Sequence, residues 1–160
     1  MKIRQATIKD LDAMVELINM YAEKGLMLPR SKLSLCENLT CFSVVEDPDH
    51  PERVAGVGGL HILWEDLAEI RSLVIGPDYA GKGLGKMLVE HLCEQARQLH
   101  IRRVMALTYE EKFFNRCGFR IVDKETLPHK VWKDCINCSK FPACDEIAVI
   151  KEVLPVAVSV

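Results

Sequence analysis

The chain has 160 residues, 49% of them hydrophobic and 28% charged, the balance of an ordinary globular domain and far from that of a disordered segment. Its 21 Lys and Arg against 23 Asp and Glu leave a net charge of −2, which supplies no bulk attraction for nucleic acid or an anionic membrane. No apolar stretch approaches the roughly 20 residues of a membrane span, and MKIRQATIKD has no hydrophobic run after its first charges, so a cytoplasmic chain folded as a single domain over 1–160 is expected.

Lys2–Ala6 alternates weakly and predicts a first strand. Thr7 followed by Asp10 at the spacing of an N-terminal cap opens a helix, with Leu11, Met14, Val15, Ile18 and Tyr21 at helical spacing. Gly25 is placed to end it in a left-handed cap. Ser31–Asn38 predicts a shorter helix, and Phe42–Glu46 a strand. The prolines of Asp47–Glu52 make a turn into a strand from Arg53 to Leu63. Glu69–Ile75 is a further strand, stopped by Gly76-Pro77. An amphipathic helix to Leu99 follows, with Leu84, Met87, Leu88, Leu92 and Ala96 on one side. Arg103–Thr108 reads as a strand, Glu110–Cys117 as a helix, and Gly118–Val122 and Glu146–Glu152 as the last strands. Hairpins early and strand–helix–strand units later indicate an α/β protein with a mixed sheet.

The chain holds seven cysteines. An odd number without an export signal argues against a disulfide framework. Cys36, Cys41, Cys93 and Cys117 fall singly in apolar segments and are expected to act as small buried hydrophobes. Cys135, Cys138 and Cys144 are crowded together downstream of His129. Three thiolates and an imidazole would satisfy tetrahedral zinc, and an iron–sulfur centre or a redox pair uses the same ligands. The bland reading is free thiols packed by Trp132 and Phe141. A strong zinc signature has two CxxC-like halves and here one is incomplete, so no metal is assigned to this 129–146 segment.

The chemistry lies between Glu69 and Leu92. A buried strand runs into a tight turn, and Gly81, Gly83 and Gly85 lead directly into a helix. Glycine lets main-chain N–H groups approach a ligand with no Cβ in the way. Those amides and the helix dipole together make an anion site, with Lys82 and Lys86 at its rim, so the ligand should carry phosphate. A P-loop would need Ser or Thr after Gly85-Lys86, where Met87 stands, and the dinucleotide fingerprint GxGxxG fails on spacing.

The run Ala80-Gly81-Lys82-Gly83-Leu84-Gly85 resembles the Gln/Arg-x-x-Gly-x-Gly/Ala motif of the GNAT N-acetyltransferases, with Ala80 in place of the usual Gln or Arg. Phe113–Phe119 matches that family's later helix-to-strand pattern. Gly25–Ser31 (GLMLPRS), Leu67–Ile75 and Leu107–Phe119 look like one branch of it, the acetyltransferase domain of N-acetylglutamate synthase in its short, stand-alone form. At 160 residues the resemblance implies the form expected to lack the amino-acid kinase domain and, with it, the arginine feedback site housed there in the long forms.

The resemblance implies the GNAT acyl-CoA N-acyltransferase fold, a mixed and mostly antiparallel sheet flanked by helices. It implies acetyl-CoA as co-substrate, with main-chain groups of Leu73, Val74 and Ile75 pairing with the pantetheine arm. The N–H groups of Gly81, Lys82, Gly83, Leu84, Gly85 and Lys86 would hold the pyrophosphate. Glu69 would be the base that deprotonates the amine; as a plain residue it would be a solvated charge at the head of its strand. The usual tyrosine proton donor is replaced by Phe114, which cannot donate; Tyr109 is the nearby phenol, and a thiolate with pKa about 8.5 leaves without strong acid help. Arg30, Ser31 and Arg71 would contact the carboxylates of an amino-acid acceptor, L-glutamate above all, placing the chain in arginine biosynthesis. His61 reads as a structural residue. The other readings are a GNAT acting on another small amine or a protein N-terminus, and a non-catalytic acyl-CoA-binding or redox sensor. Edge strands of this architecture often pair between subunits, so a homodimer is a further expectation.

Overall fold

The computed structural model describes residues 1–127 and 146–154. Its strands are β1 (Lys2–Gln5), β2 (Phe42–Glu46), β3 (Val54–Trp64), β4 (Leu67–Ile75), β5 (Arg103–Thr108), β6 (Arg120–Val122) and β7 (Ile147–Glu152). Its helices are α1 (Leu11–Glu23), α2 (Lys32–Glu37), α3 (Leu84–Gln98) and α4 (Glu111–Arg116). Hydrogen-bonded neighbours follow the order β1-β2-β3-β4-β5-β7-β6 in one sheet. β4 and β5 are parallel, while β1–β2, β2–β3, β5–β7 and β6–β7 are antiparallel. The sheet is therefore mixed. Among the described residues no helix is long and apolar enough to cross a membrane.

The chain groups into two compact units, Met1–Leu60 with Ile70–Leu92, and His61–Glu69 with Cys93–Val160. In the first, β1 pairs with β2 from Lys2–Glu46 to Gln5–Ser43, and β2 pairs with β3 with a register shift between Val45 and Glu46. α1 buries Leu11, Met14, Leu17 and Ile18 against Leu35, Phe42, Val44, Val57 and Val74. Met14, Ile18, Leu35 and Phe42 are completely buried, and each such side chain contributes about 1.5–3 kcal/mol relative to exposure. The helical stripe read in the sequence is the core face of α1. In the C-terminal helix of this unit the buried stripe is Leu84, Leu88, Val89 and Leu92, whereas Met87 is 47% exposed. Residues four apart stay on one face of a helix and Met87 falls off that row, so the expected side included one residue too many.

Both ends of α1 are closed as the sequence suggested. A single 3₁₀ turn (Ile8–Asp10) precedes it, and the Asp10 carboxylate accepts from the Thr7 N–H at 2.8 Å and the Thr7 hydroxyl at 3.2 Å. Arg4 of β1 donates twice to the same carboxylate, at 2.8 and 3.0 Å, and once to Glu46 of β2 at 3.2 Å. At the other end Gly25 has φ +73°, its N–H donates to Ala22 O and Leu26 N–H donates to Tyr21 O. This pair of bonds is the Schellman arrangement, and it turns the chain toward residues 26–31.

In the second unit, Leu67–Glu69 pairs in parallel with Arg103–Met105, and β5 pairs along its whole length with β7. Leu67, Met105, Leu127, Ala148 and Ile150 form its core, with Leu63, Leu107 and Val122 packed on it. Cys93 and Cys117 are buried as expected, but Cys36 is exposed and Cys41 half-exposed. The short helix α2 buries Leu35 and leaves its neighbour outside.

The Asp10 cluster generates a pH-dependent prediction. The Arg4 guanidinium, above all, holds the Asp10 carboxyl below its usual 3.8, and burial opposes this. A carboxylate with a depressed folded-state pKa contributes stability above its unfolded pKa and loses it as the pH falls through the folded value. Asp10→Ala should cost about 2 kcal/mol at neutral pH. In thermal denaturation from pH 7 downward, the gap between the two proteins should hold to about pH 4 and then narrow. A gap that persists unchanged into strong acid contradicts this.

Candidate active site

β4 carries the first irregularity. Ser72 has φ +56° in mid-strand, a left-handed conformation that costs a non-glycine residue roughly 1–3 kcal/mol. It interrupts the extended backbone just before Leu73, Val74 and Ile75. Nothing in the run EIRSLVI signals it; an ordinary serine among β-formers predicts a regular strand. Val74 is buried, while Leu73 and Ile75 are partly exposed. The Ile75 carbonyl accepts from the Tyr21 hydroxyl at 2.7 Å, which ties the end of α1 to this strand.

The turn after β4 is anchored on both sides. Gly76 N–H donates to Ala55 O at 2.8 Å, and Pro77–Tyr79 forms a 3₁₀ turn with proline at its first position. Tyr79 is buried, and its hydroxyl donates to the Asp47 carboxylate at 2.7 Å. Asp47 also accepts from Asp49 N–H at 2.9 Å. These bonds, the Tyr79 hydroxyl first, hold the Asp47 carboxyl below its ordinary value, and the same bond pushes the Tyr79 phenol up. A buried phenol paired with a carboxylate fixes where the following loop begins. Sequence reading missed both residues; a tyrosine three positions after a strand-ending glycine was the available signal.

That loop is the glycine run. Gly81 (φ +79°) and Gly83 (φ +75°) are left-handed, and a Cβ on either would meet no atom within 4 Å. Here glycine serves backbone conformation, and the space over it is open. Gly81, Lys82, Gly83 and Lys86 are exposed, whereas Leu84 is buried and anchors the first turn of α3. The Lys82 ammonium lies 5.8 Å from the Tyr79 ring centre. Met87 N–H donates to Gly83 O at 3.1 Å, so the amides of Leu84, Gly85 and Lys86 precede the first bond of the helix and have no acceptor within it. Open space over Gly81 and Gly83, amides with no acceptor in the helix and two lysines are the features an anion site needs.

The residues expected to meet the acceptor collect near α2. Arg30 donates from Nη2 to Ser34 Oγ at 3.1 Å and its guanidinium carbon lies 5.3 Å from the Phe42 ring centre. Ser31 is the N-cap of α2, its Oγ accepting from Ser34 N–H at 3.0 Å. Arg71 is half-buried on β4. Burial raises the Cys41 thiol, and the charges of Arg30 and Arg71 both pull it back down. Two guanidinium groups from distant parts of the sequence thus both favour the charged form of one thiol. Arg30 and Ser31 also line an open depression with Asn19, Ala22, Glu23 and Pro29.

In the second unit, Glu69 sits two residues inside β4, opposite Met105, and is only 6% exposed. It is not a solvated strand-end charge, because β4 begins at Leu67. Tyr109 follows β5 and is partly exposed; it lies outside α4, which begins at Glu111. Thr108 Oγ1 accepts from Glu110 N–H at 2.8 Å and shapes this entry into α4. Phe114 is buried edge-on between Phe113 and Phe119, with ring centres 5.2 and 5.1 Å away. His61 is buried on β3. His129, Cys135, Cys138 and Cys144 lie outside the described residues.

This geometry can be set beside known proteins. The model of the Acetyltransferase (GNAT) family matches residues 11–119. An uncharacterized N-acetyltransferase of Chlorobaculum tepidum, CT2212, is 36% identical over 149 residues, covering 93% of this chain and 94% of the relative. An amino-acid acetyltransferase of Mycobacterium tuberculosis is 36% identical over 132 residues, covering 82% and 75%. Among solved structures, N-acetylglutamate synthase of Neisseria gonorrhoeae, complexed with coenzyme A and N-acetyl-glutamate, superposes with a TM-score of 0.85 at 26% identity; 96% of this chain and 35% of the synthase chain are covered. The chain belongs to the GNAT family of N-acetyltransferases, with the family's mixed seven-stranded sheet flanked by helices and acetyl-CoA as its acetyl donor.

Proposed function

We propose that this enzyme acetylates the α-amine of an amino acid that carries a second carboxylate, L-glutamate in the first instance. The observation that carries the reading is Arg30, held by Ser34 and the Phe42 ring at the edge of an open depression, with the half-buried Arg71 as a second guanidinium in the same unit. A guanidinium is planar, permanently charged and matched to a carboxylate, so two of them suit an acceptor with two carboxylates. A simple monoamine would gain nothing from such a pair. Relatives named amino-acid acetyltransferase, and the synthase crystallised with N-acetyl-glutamate, support the same acceptor.

In this reading the main-chain amides of Gly81–Lys86 hold the diphosphate of acetyl-CoA, Lys82 and Lys86 add charge at the rim, and Leu73, Val74 and Ile75 receive the pantetheine arm as an added strand. The Ile75 carbonyl already accepts one bond from Tyr21, so Leu73 and Val74 carry most of that pairing. An N–H near Val74 faces the thioester oxygen as negative charge develops there. The neutral amine attacks the thioester carbon, the C–S bond breaks, and coenzyme A leaves as a thiolate. Glu69 takes the proton from the amine, directly or through water. Its place inside β4, 6% exposed, holds the carboxylate in the sheet rather than leaving it a loose solvated charge. Phe114 has no proton to give, and Tyr109 supplies what acid assistance there is.

Four outcomes test the reading. Release of free coenzyme A thiol should saturate with L-glutamate and be far slower with leucine or lysine; acetyl-CoA binding without turnover on any amino acid contradicts it. Arg30→Ala and Arg71→Ala should each raise KM for glutamate roughly ten- to a hundredfold, leaving KM for acetyl-CoA near its starting value. Glu69→Gln should lower kcat by about 10²–10⁴ and Tyr109→Phe by less than about tenfold. On the donor side, Gly83→Ala should raise KM for acetyl-CoA at least tenfold while costing only about 1–2 kcal/mol of stability for its left-handed backbone. Unchanged acetyl-CoA affinity in that variant would make the loop a simple turn.

A further inference from the structure

Arg30 lies in a stretch of chain, 24–31, that forms neither helix nor strand and in which most residues are exposed. Such a stretch has no ladder to hold its main chain, yet a guanidinium that selects a carboxylate must be held in place. Its own side chain is steadied by Ser34 and by the Phe42 ring. Its main chain is held by one residue of α1. The Asn19 side-chain amide donates from Nδ2 to Arg30 O at 3.1 Å and accepts at Oδ1 from Arg30 N–H at 3.1 Å.

Both bonds thus go to a single residue's peptide groups, the pairing that a neighbouring strand would give. Only a primary amide presents a donor and an acceptor side by side, and at this distance the side chain must be short. Asparagine is a mediocre helix former, so helix propensity does not account for it in the last turns of α1. The base of the clamp is rigid: Leu17 and Ile18, its neighbours, are buried in the core. The Gly25 cap then reverses the chain and delivers residue 30 to it.

We propose that Asn19 is the positioning residue for Arg30 and so a determinant of acceptor affinity. The inference rests on the reading that Arg30 binds an acceptor carboxylate. With the clamp intact, the residue that carries the guanidinium is ordered before the acceptor arrives, and binding does not have to order it. Without it, the acceptor must select one loop conformation among several, and its apparent affinity falls in proportion.

Steady-state kinetics with L-glutamate and acetyl-CoA test this in the full chain. Asn19→Ala should raise KM for glutamate about tenfold, with kcat and KM for acetyl-CoA within about twofold of the parent. Asn19→Asp, which keeps the acceptor for Arg30 N–H and loses the donor, should fall between them. In an Arg30→Ala background, Asn19→Ala should add nothing, because the group it positions is gone. An unchanged glutamate KM in Asn19→Ala, where Arg30→Ala raises it, overturns the positioning role alone. A glutamate KM that Arg30→Ala leaves unmoved overturns the reading beneath it. A loss of melting temperature and kcat together, with both KM values constant, makes Asn19 a structural residue and overturns the inference.

Discussion

The main chain from the middle of β4 to the start of α3 is the constraint on which the proposed acetyl-donor side depends. Three residues in it, Ser72, Gly81 and Gly83, take left-handed conformations that a regular strand or helix never uses. Each costs conformational energy or, for glycine, entropy on folding. The surrounding bonds hold that cost in place. Gly76 is tied to Ala55, Tyr79 to Asp47, and Leu84 is sunk in the core. The amides of Leu84, Gly85 and Lys86 have no acceptor within the helix they open, and amides in that condition at the start of a helix attract an anion. The fold and the chemistry are coupled at this point by backbone geometry rather than by any one side chain.

The proposed acceptor side is built on a different principle. Its cations sit on long, flexible side chains, and the structure restrains them one contact at a time: Arg30 by Ser34, Phe42 and Asn19, with Ser31 committed to capping α2. Surface ion pairs are worth little when both partners are mobile. A guanidinium already fixed before its carboxylate arrives loses less entropy on binding, and its two-point geometry can discriminate. Cys41 fits here as a small polarisable neighbour whose thiol burial pushes up.

Most of the fold was legible because its elements carry strong local patterns. The stripe on α1, the cap pair Thr7 and Asp10, the reversal at Gly25 and the glycine run before α3 each have a direct physical reading in sequence. The family pattern then tied them into one architecture. What escaped was non-local or irregular. Ser72 is left-handed because its surroundings require it, and no residue type announces that. Tyr79–Asp47 and Asn19–Arg30 join residues far apart in sequence, and their pairing exists only once the chain is folded. The alternative of a solvated Glu69 arose because β4 was read two residues short. Cys36 looked buried because a six-residue helix has too few positions for periodicity to separate inside from outside.

The central claim is that the amides of residues 81–86 grip the diphosphate of coenzyme A. Amide chemical shifts followed by NMR during titration with coenzyme A, and in parallel with pantetheine, address it directly. The amides of Gly81, Lys82, Gly83, Leu84, Gly85 and Lys86 should move saturably with coenzyme A and stay in place with pantetheine, which has no diphosphate. If those six amides are indifferent to coenzyme A while shifts elsewhere report binding, the diphosphate is held by other groups and the account is wrong.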